Sequence, residues 1–246
     1  MDEITENAVL DGRVRLRQPA RGYRAGADAA LLAAACDAGE GARVIEAGCG
    51  VGAALLAAAV RRPGARFLGV ERDPAALALA RENIVLNRLH DRVEVADGDV
   101  ARGFKALRQP AFDAALANPP FFDDEKVLRG PAPQRRGAWI ADEGLGAWTR
   151  FLLEAVRLGG TLSVIHRADR LADLLALLGE GAGSFQVRPV HPHAEEPAKR
   201  ILVRAVKGGK APLQLLPPLV LHERGGAKHT PEAEAILRGR AALVWA

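Results

Sequence analysis

Short apolar runs alternate with amphipathic segments along the middle of the chain. Runs rich in Val, Ile, Leu and Ala predict buried strands, whereas apolar residues spaced three and four apart predict helices. Strand–helix alternation at this spacing indicates a mostly parallel sheet with helices on both faces. The predicted strands cover residues 43–47, 66–71, 92–96, 112–117, 161–166, 185–191, 200–207 and 213–222, and the predicted helices cover residues 51–62, 74–87, 142–158 and 168–178.

Length and composition indicate a single large α/β domain that spans residues 1–246. Hydrophobic residues make up 49% of the chain and charged residues 26%, which is typical of a globular protein with a substantial core. No apolar run reaches the roughly 18 residues that cross a bilayer, and the acidic N-terminus is unlike a secretory signal. We therefore expect a cytoplasmic protein with no membrane partner.

The cysteines and the charge balance limit the possible ligands. Cys36 and Cys49 lack the spacing of a metal site, so we expect no metal and two reduced thiols. The net charge of +4 is compatible with a polyanionic partner. Arg129, Arg135 and Arg136 lie in a Gly/Pro-rich stretch, where they could contact phosphates or form a solvated loop.

A glycine-rich loop follows the first predicted strand and leads directly into a helix. Gly48, Gly50 and Gly52 have the spacing Gly-x-Gly-x-Gly and come after the acidic Glu46. Dinucleotide-binding folds instead use Gly-x-Gly-x-x-Gly, with a pyrophosphate at the helix N-terminus. The shorter spacing is typical of methyltransferases, whose cofactor carries an amino-acid tail in place of phosphates. Glu71 ends the next strand, where a carboxylate can accept hydrogen bonds from both ribose hydroxyls of an adenosine-containing cofactor.

The third predicted strand leads into Asp97-Gly98-Asp99. A carboxylate at this place could accept a hydrogen bond from the adenine amino group of the same cofactor. We favour Asp99 over Asp97 because Asp99 follows the strand by a short turn. The alternative is that both are solvated turn aspartates.

The tetrad Asn118-Pro119-Pro120-Phe121 follows the fourth predicted strand and is the most specific signal in the chain. The tetrad suits methylation of an exocyclic amine on a base or an amide. Such an amine is a poor nucleophile because its lone pair is delocalised into the π-system. Two acceptors, the side-chain carbonyl of Asn118 and the backbone carbonyl of Pro119, would favour a tetrahedral nitrogen. The prolines stiffen the loop, so these acceptors need little reorganisation. Phe121 offers a flat face for a base, which would have to be flipped out of any stack.

Two longer segments resemble one bacterial family. Residues 18–33 read QPARGYRAGADAALLA, and residues 199–209 read KRILVRAVKGG. Together with the tetrad, they resemble the tRNA1(Val) adenine-N6 methyltransferases, a family of class I S-adenosylmethionine-dependent methyltransferases. The resemblance runs over nearly the whole chain. It implies a Rossmann-like α/β fold with a mostly parallel seven-stranded sheet and helices on both faces.

The resemblance also implies a cofactor, a partner and a set of site residues. The cofactor would be S-adenosylmethionine, and the partner would be RNA, with N6 of an adenine next to a tRNA anticodon as the target. Residues 1–40 would form an extension on the cofactor side. The implied site residues are Tyr23, Arg24, Asp28, Glu46, Gly48, Gly50, Gly52, Glu71 and Asp99 for the cofactor and Asn118, Pro119, Pro120 and Phe121 for the base.

Other functions remain open at this stage. Enzymes that methylate a glutamine side chain of a release factor use the same tetrad, but they usually carry a helical domain before the glycine loop. This chain has only about 40 residues there. Methylation of guanine N2 in ribosomal RNA is a further alternative. A nicotinamide oxidoreductase would need Gly-x-Gly-x-x-Gly and would leave the tetrad unexplained. A non-catalytic RNA-binding domain would tolerate loss of Asn118 without loss of its activity.

Overall fold

The computed structural model describes residues 3–21, 26–120, 144–225 and 227–245. A nine-stranded sheet forms its centre, and a two-stranded hairpin precedes that sheet in the chain. The hairpin consists of β1 (Ile4–Val9) and β2 (Val14–Pro19), and the sheet consists of β3 (Arg43–Ala47), β4 (Arg66–Glu71), β5 (Val93–Asp97), β6 (Phe112–Ala117), β7 (Val156–Arg167), β8 (Ala182–His191), β9 (Arg200–Lys207), β10 (Gln214–Leu215) and β11 (Leu219–Val220).

The strand order confirms the predicted mostly parallel sheet. It runs β10-β8-β9-β7-β6-β3-β4-β5, and β11 also pairs with β8. Among the seven long strands, β9 alone is antiparallel to its neighbours β7 and β8. The sheet has nine strands and not the seven that the resemblance implied, of which β3 to β9 are the seven long ones. The other two strands, β10 and β11, have two residues each and extend the edge beside β8.

Helices cover both faces of the sheet, as predicted. One apolar cluster joins the sheet to helices α1, α2 and α6 and to Ile84 of α3, and a second joins it to α4 and α5. Successive strand residues face opposite sides, so Val44 belongs to the first cluster and Ile45 to the second. In the described parts of the chain the helices are α1 (Ala27–Ala35), α2 (Ala53–Arg61), α3 (Pro74–Leu86), α4 (Leu145–Ala155), α5 (Leu171–Leu178) and α6 (Pro231–Leu237).

The carboxyl ends of neighbouring parallel strands lie side by side. Ala47, at the end of β3, pairs with Val70 of β4 and with Ala117 of β6. Glu71 of β4 pairs with Asp97 of β5. The loops that follow these strands therefore meet at one edge of the sheet, which is where open α/β sheets bind ligands.

The prediction of a single strand over residues 213–222 is wrong. Only Gln214–Leu215 and Leu219–Val220 pair with β8. Pro217 and Pro218 lie between these two short strands. Because proline has no N–H to donate, it interrupts the ladder and leaves two fragments.

The helix predicted over residues 142–158 is shorter at its C-terminal end. It ends at Ala155, and the chain enters β7 at Val156; residues 142 and 143 lie outside the described ranges. Gly159 and Gly160 lie inside β7, in an irregularity where β7 shifts register against β6. A Cβ on Gly160 would lie 2.6 Å from the carbonyl oxygen of Asp113, so this close approach requires glycine.

Candidate active site

A cavity of about 570 Å³ lies at the carboxyl edge of the sheet, a size usual for a small-molecule site. Its wall comes from the loops after β3, β4, β5 and β6, from the segment after β2, and from the first turn of α4. Loops that are far apart in the chain thus contribute to one site. The predicted site residues that the cavity brings together are Glu46, Gly48, Gly50, Glu71, Asp99, Asn118, Pro119 and Pro120.

Two predicted residues that the structure describes, Gly52 and Asp28, are not among the wall residues. Gly52 is the N-cap of α2, with a φ of 88°, directly behind the loop. Asp28 lies in the first turn of α1, and its Oδ2 accepts a hydrogen bond from Nε of Arg200 at 3.0 Å. This ion pair joins α1 to β9. The predicted residues that lie outside the described ranges are Tyr23, Arg24 and Phe121.

Glu71 holds the glycine loop in its conformation. Its Oε2 accepts the backbone N–H of Gly50 at 2.8 Å. Its Oε1 accepts the backbone N–H groups of Arg72 at 2.9 Å and of Asp73 at 2.8 Å. A carboxylate has about four lone-pair sites, and these three bonds leave Glu71 one site that can accept a hydrogen bond from a hydroxyl group of a ligand.

Glycine occupies positions 48 and 50 of the loop for different structural reasons. Both adopt left-handed backbone conformations, with φ of 63° for Gly48 and 56° for Gly50, which favours glycine. A Cβ on Gly50 would meet no described atom within 4 Å, so the loop is open to the cavity at that point. A Cβ on Gly48 would lie 2.2 Å from Cη2 of Trp148. Gly48 therefore makes room for a side chain of the protein itself.

Glu46 is a buried acid on the cavity wall, only 3% exposed. Burial, and then the negative charge of Glu71, raises the pKa of the Glu46 carboxyl well above its ordinary value, and a hydrogen bond from the backbone of Leu55 opposes this. Its Oε2 has no hydrogen-bond partner among the described residues. A buried, unpartnered carboxyl oxygen beside a cavity suits a ligand that brings a positive charge or a donor.

The two aspartates after β5 have different surroundings. Asp99 lies on the cavity wall, and its Oδ1 caps a short turn by accepting the backbone N–H of Ala101 at 2.9 Å. Its other oxygen is not used by this cap. Asp97 is exposed and is not among the described wall residues. Of the two aspartates, Asp99 therefore lies on the cavity wall and Asp97 does not.

The Asn118-Pro119-Pro120 segment forms the wall directly after β6. The strand before it is fixed on both sides, because Ala117 pairs with Ala47 of β3 and with Val164 of β7. Pro119 is buried, Asn118 is half-buried and Pro120 is exposed. The segment therefore has a rigid base in the sheet.

Trp148 is a wall residue that the sequence did not predict. It lies in the first turn of α4, and the outer atoms of its indole ring contact the Cα side of Gly48. The ring is half-buried and packs against the same apolar cluster as α4. Nothing in the local pattern separates Trp148 from an ordinary core residue, because its place depends on how α4 lies against the glycine loop.

Three further observations concern the thiol on the cavity wall, metal ions and the membrane. Burial raises the pKa of Cys49, which also lines the cavity, well above its ordinary value, and this favours the unreactive thiol. Within the described residues no group of three or more His, Cys, Asp or Glu side chains could hold a metal ion. In the same residues no helix is long and apolar enough to span a bilayer.

Comparison with known proteins identifies the class. Residues 25–130 match the family model of the methyltransferase small domain. The chain is 31% identical to a predicted O-methyltransferase from Agrobacterium tumefaciens, and the crystal structure of that protein matches with a TM-score of 0.73 over 88% of this chain and 98% of that one. The chain belongs to the class I S-adenosylmethionine-dependent methyltransferases, and its methyl donor is S-adenosylmethionine.

Two curated relatives carry different substrates in their names. The chain is 33% identical to a tRNA1(Val) (adenine(37)-N6)-methyltransferase from Porphyromonas gingivalis, over 61% of this chain and 61% of the relative. It is 31% identical to a release factor glutamine methyltransferase from Caulobacter vibrioides, over 70% of this chain and 58% of the relative. The chain thus spans about three fifths of the length of these relatives. The first similarity confirms the family resemblance predicted from the sequence.

Proposed function

We propose that this methyltransferase acts on an exocyclic amino nitrogen, namely N6 of an adenine in a tRNA near the anticodon. The observation that carries the proposal is the position of Asn118-Pro119-Pro120 on the wall of the same cavity as Glu71 and Asp99. The relative from Porphyromonas gingivalis supports the choice of adenine. The net charge of +4 suits a polyanionic substrate, and a tRNA substrate suits a cytoplasmic enzyme.

Asn118 and Pro119 act on the amine through two oxygen acceptors. The side-chain carbonyl of Asn118 and the backbone carbonyl of Pro119 accept its two N–H groups, which turns the nitrogen lone pair towards the donor. The rigid attachment of this segment to β6 limits reorganisation as charge develops. Phe121, outside the described residues, is proposed to stack on the base.

The loops around the cavity hold the cofactor. When bound, S-adenosylmethionine supplies a methyl group that is already activated, so the protein mainly aligns donor and acceptor. Glu71 accepts a hydrogen bond from a ribose hydroxyl at its remaining lone-pair site, Asp99 accepts one from the adenine amino group, and Glu46 faces the positively charged end. Residues 1–40 belong to the cofactor side of a single domain, and Tyr23, Arg24 and Asp28 contribute there. Pro19 and Arg21 on the wall support this part of the proposal.

Two acceptors distinguish an amino nitrogen from a hydroxyl oxygen as the target. A hydroxyl has one proton, so a second acceptor would face an oxygen lone pair. This argument favours N-methylation, although the relative from Agrobacterium tumefaciens is named as a predicted O-methyltransferase. A glutamine amide also has two N–H groups. Release factor methylation is therefore the second candidate, supported by the relative from Caulobacter vibrioides.

The test separates these substrates. The purified protein is incubated with methyl-labelled S-adenosylmethionine and either total tRNA or a release factor, and the tRNA is then digested to nucleosides. We expect label in N6-methyladenosine. Label in the release factor alone would replace the proposal with the second candidate, and label in 2'-O-methyl nucleosides would overturn the argument from two acceptors. An Asn118→Ala protein serves as the control for a contaminating activity.

A further inference from the structure

The N-terminal hairpin packs on α3, where the side-chain amides of two asparagines form hydrogen bonds with the backbone of β2, as the backbone of a neighbouring strand would. The backbone N–H of Arg17 donates to Oδ1 of Asn83 at 2.7 Å, and Nδ2 of Asn83 donates to the carbonyl of Arg17 at 2.9 Å. Asn87 and Arg15 repeat this pair of bonds at 2.8 Å and 2.7 Å. Four helix residues rise about 6 Å and two strand residues about 6.7 Å, so the two spacings match.

Asn83 makes one bond that Asn87 does not make. Its Nδ2 also donates to the carbonyl of Val51 at 2.9 Å. Val51 lies between Gly50 and Gly52 and is part of the cavity wall. The other bond of Asn87 Nδ2 goes to the carbonyl of Asn83 in the same helix, at 2.7 Å. Asn83 is fully buried, so water does not compete for its bonds.

The hairpin leads directly to the cavity. Its second strand ends at Pro19, two residues after Arg17, and Pro19 and Arg21 lie on the cavity wall. The amide of Asn83 thus holds two segments that face the same cavity. We propose that Asn83 is a positioning residue that joins the hairpin and the glycine loop into one unit, so that cofactor binding and hairpin docking stabilise each other.

The physical basis is thermodynamic linkage. A cofactor that orders the glycine loop fixes the Val51 carbonyl, and this in turn fixes the Asn83 amide that holds Arg17. Coupling of this kind is reciprocal, so a docked hairpin must raise the affinity for the cofactor by the same factor. The inference concerns the cofactor alone and does not depend on which substrate is methylated.

The test compares two matched variants of the full chain. Asn83→Ala and Asn87→Ala each remove one pair of hairpin bonds, but only Asn83→Ala removes the bond to Val51. We expect Asn83→Ala to weaken binding of S-adenosylhomocysteine, measured by calorimetry, by at least about fivefold. Asn87→Ala should change this affinity by less than about twofold, because the Asn83 bonds to Arg17 and Val51 remain and keep the hairpin docked.

Hydrogen–deuterium exchange provides a second measurement. In the wild type and in Asn87→Ala, S-adenosylhomocysteine should slow amide exchange in residues 4–19, and in Asn83→Ala this effect should be lost. Equal losses of affinity in the two variants would overturn the proposal. So would hairpin exchange in the wild type that does not respond to the cofactor, a measurement that remains decisive even if Asn83→Ala does not fold.

Discussion

The indole ring of Trp148 lies so close to Gly48 that a methyl group at position 48 would be 2.2 Å from Cη2 and 2.8 Å from Cζ3. The glycine loop and helix α4 are therefore packed together at the cavity wall. The first glycine of the loop is required by this contact as well as by its φ of 63°. The contact also places Trp148 on the cavity wall, where its fluorescence can report cofactor binding, whereas Trp245 is not among the described wall residues.

Gly48→Ala should destabilise the protein more than Gly41→Ala does. Both glycines have positive φ, 63° and 72°, but a Cβ on Gly41 meets no described atom within 4 Å. The difference in the free energy of unfolding, measured with denaturant, should be about 1–3 kcal/mol because only Gly48→Ala also overpacks the site. The double variant Gly48→Ala/Trp148→Leu should recover part of this loss. Equal destabilisation by Gly48→Ala and Gly41→Ala would show that the ring of Trp148 moves aside with no loss of stability.

Glu71→Gln should loosen the glycine loop and weaken cofactor binding. The substitution removes one acceptor oxygen, so either the N–H of Gly50 or the N–H groups of Arg72 and Asp73 lose their partner. We expect a loss of about 1–3 kcal/mol in the free energy of unfolding. The dissociation constant for S-adenosylmethionine should rise by about tenfold or more. Glu94→Gln, at an exposed position of β5, is the control; a cofactor affinity that is unchanged in Glu71→Gln would contradict the assigned role.

Glu46 should make the stability of the cofactor-free protein decrease as pH rises. Its pKa in the folded state is raised, so the folded protein keeps a proton that the unfolded chain releases near its ordinary pKa of about 4.3. The contribution to stability is therefore complete below that pH and is lost as pH rises through the raised pKa. Glu46→Gln should remove this loss, which thermal unfolding between about pH 5 and pH 9 measures.

Cofactor binding should show the opposite pH dependence at the same residue. A positively charged cofactor favours the ionised carboxylate, so the affinity of the wild type should increase relative to that of Glu46→Gln as pH rises through the raised pKa of Glu46. Burial lowers the pKa of His166 to about 4, but His166 is present in both proteins, so its contribution cancels in the comparison. A parallel pH dependence in the two proteins would show that Glu46 does not meet the cofactor's charge.

The sequence predicted the central sheet closely because its strands are buried on both faces. Strands β3, β4, β6 and β9 have the predicted limits, since continuous apolar runs between glycines and polar residues leave little choice of register. Parallel pairing then brought the residues after β3, β4, β5 and β6 to one edge. This is why most of the predicted wall residues do meet in one cavity.

The parts that were not predicted depend on contacts between distant segments. The β1–β2 hairpin pairs with α3 through Asn83 and Asn87, and no local pattern in those asparagines indicates that role. Trp148 faces the cavity because α4 packs against the glycine loop. Asp28 was expected on the cofactor side from resemblance, and in the structure its partner is Arg200 of β9.

The central claim is that Asn118 acts on the amine that receives the methyl group and not on the cofactor. The most direct measurement compares Asn118→Ala with the wild type in two ways: the dissociation constant for S-adenosylmethionine, and the rate of methyl transfer to tRNA in a single turnover. The account predicts a dissociation constant within about twofold of the wild type and a rate lower by about 100-fold or more, the usual loss for a preorganised polar group at a reacting centre. An unchanged rate, or a loss of rate that is fully explained by weaker cofactor binding, would contradict it.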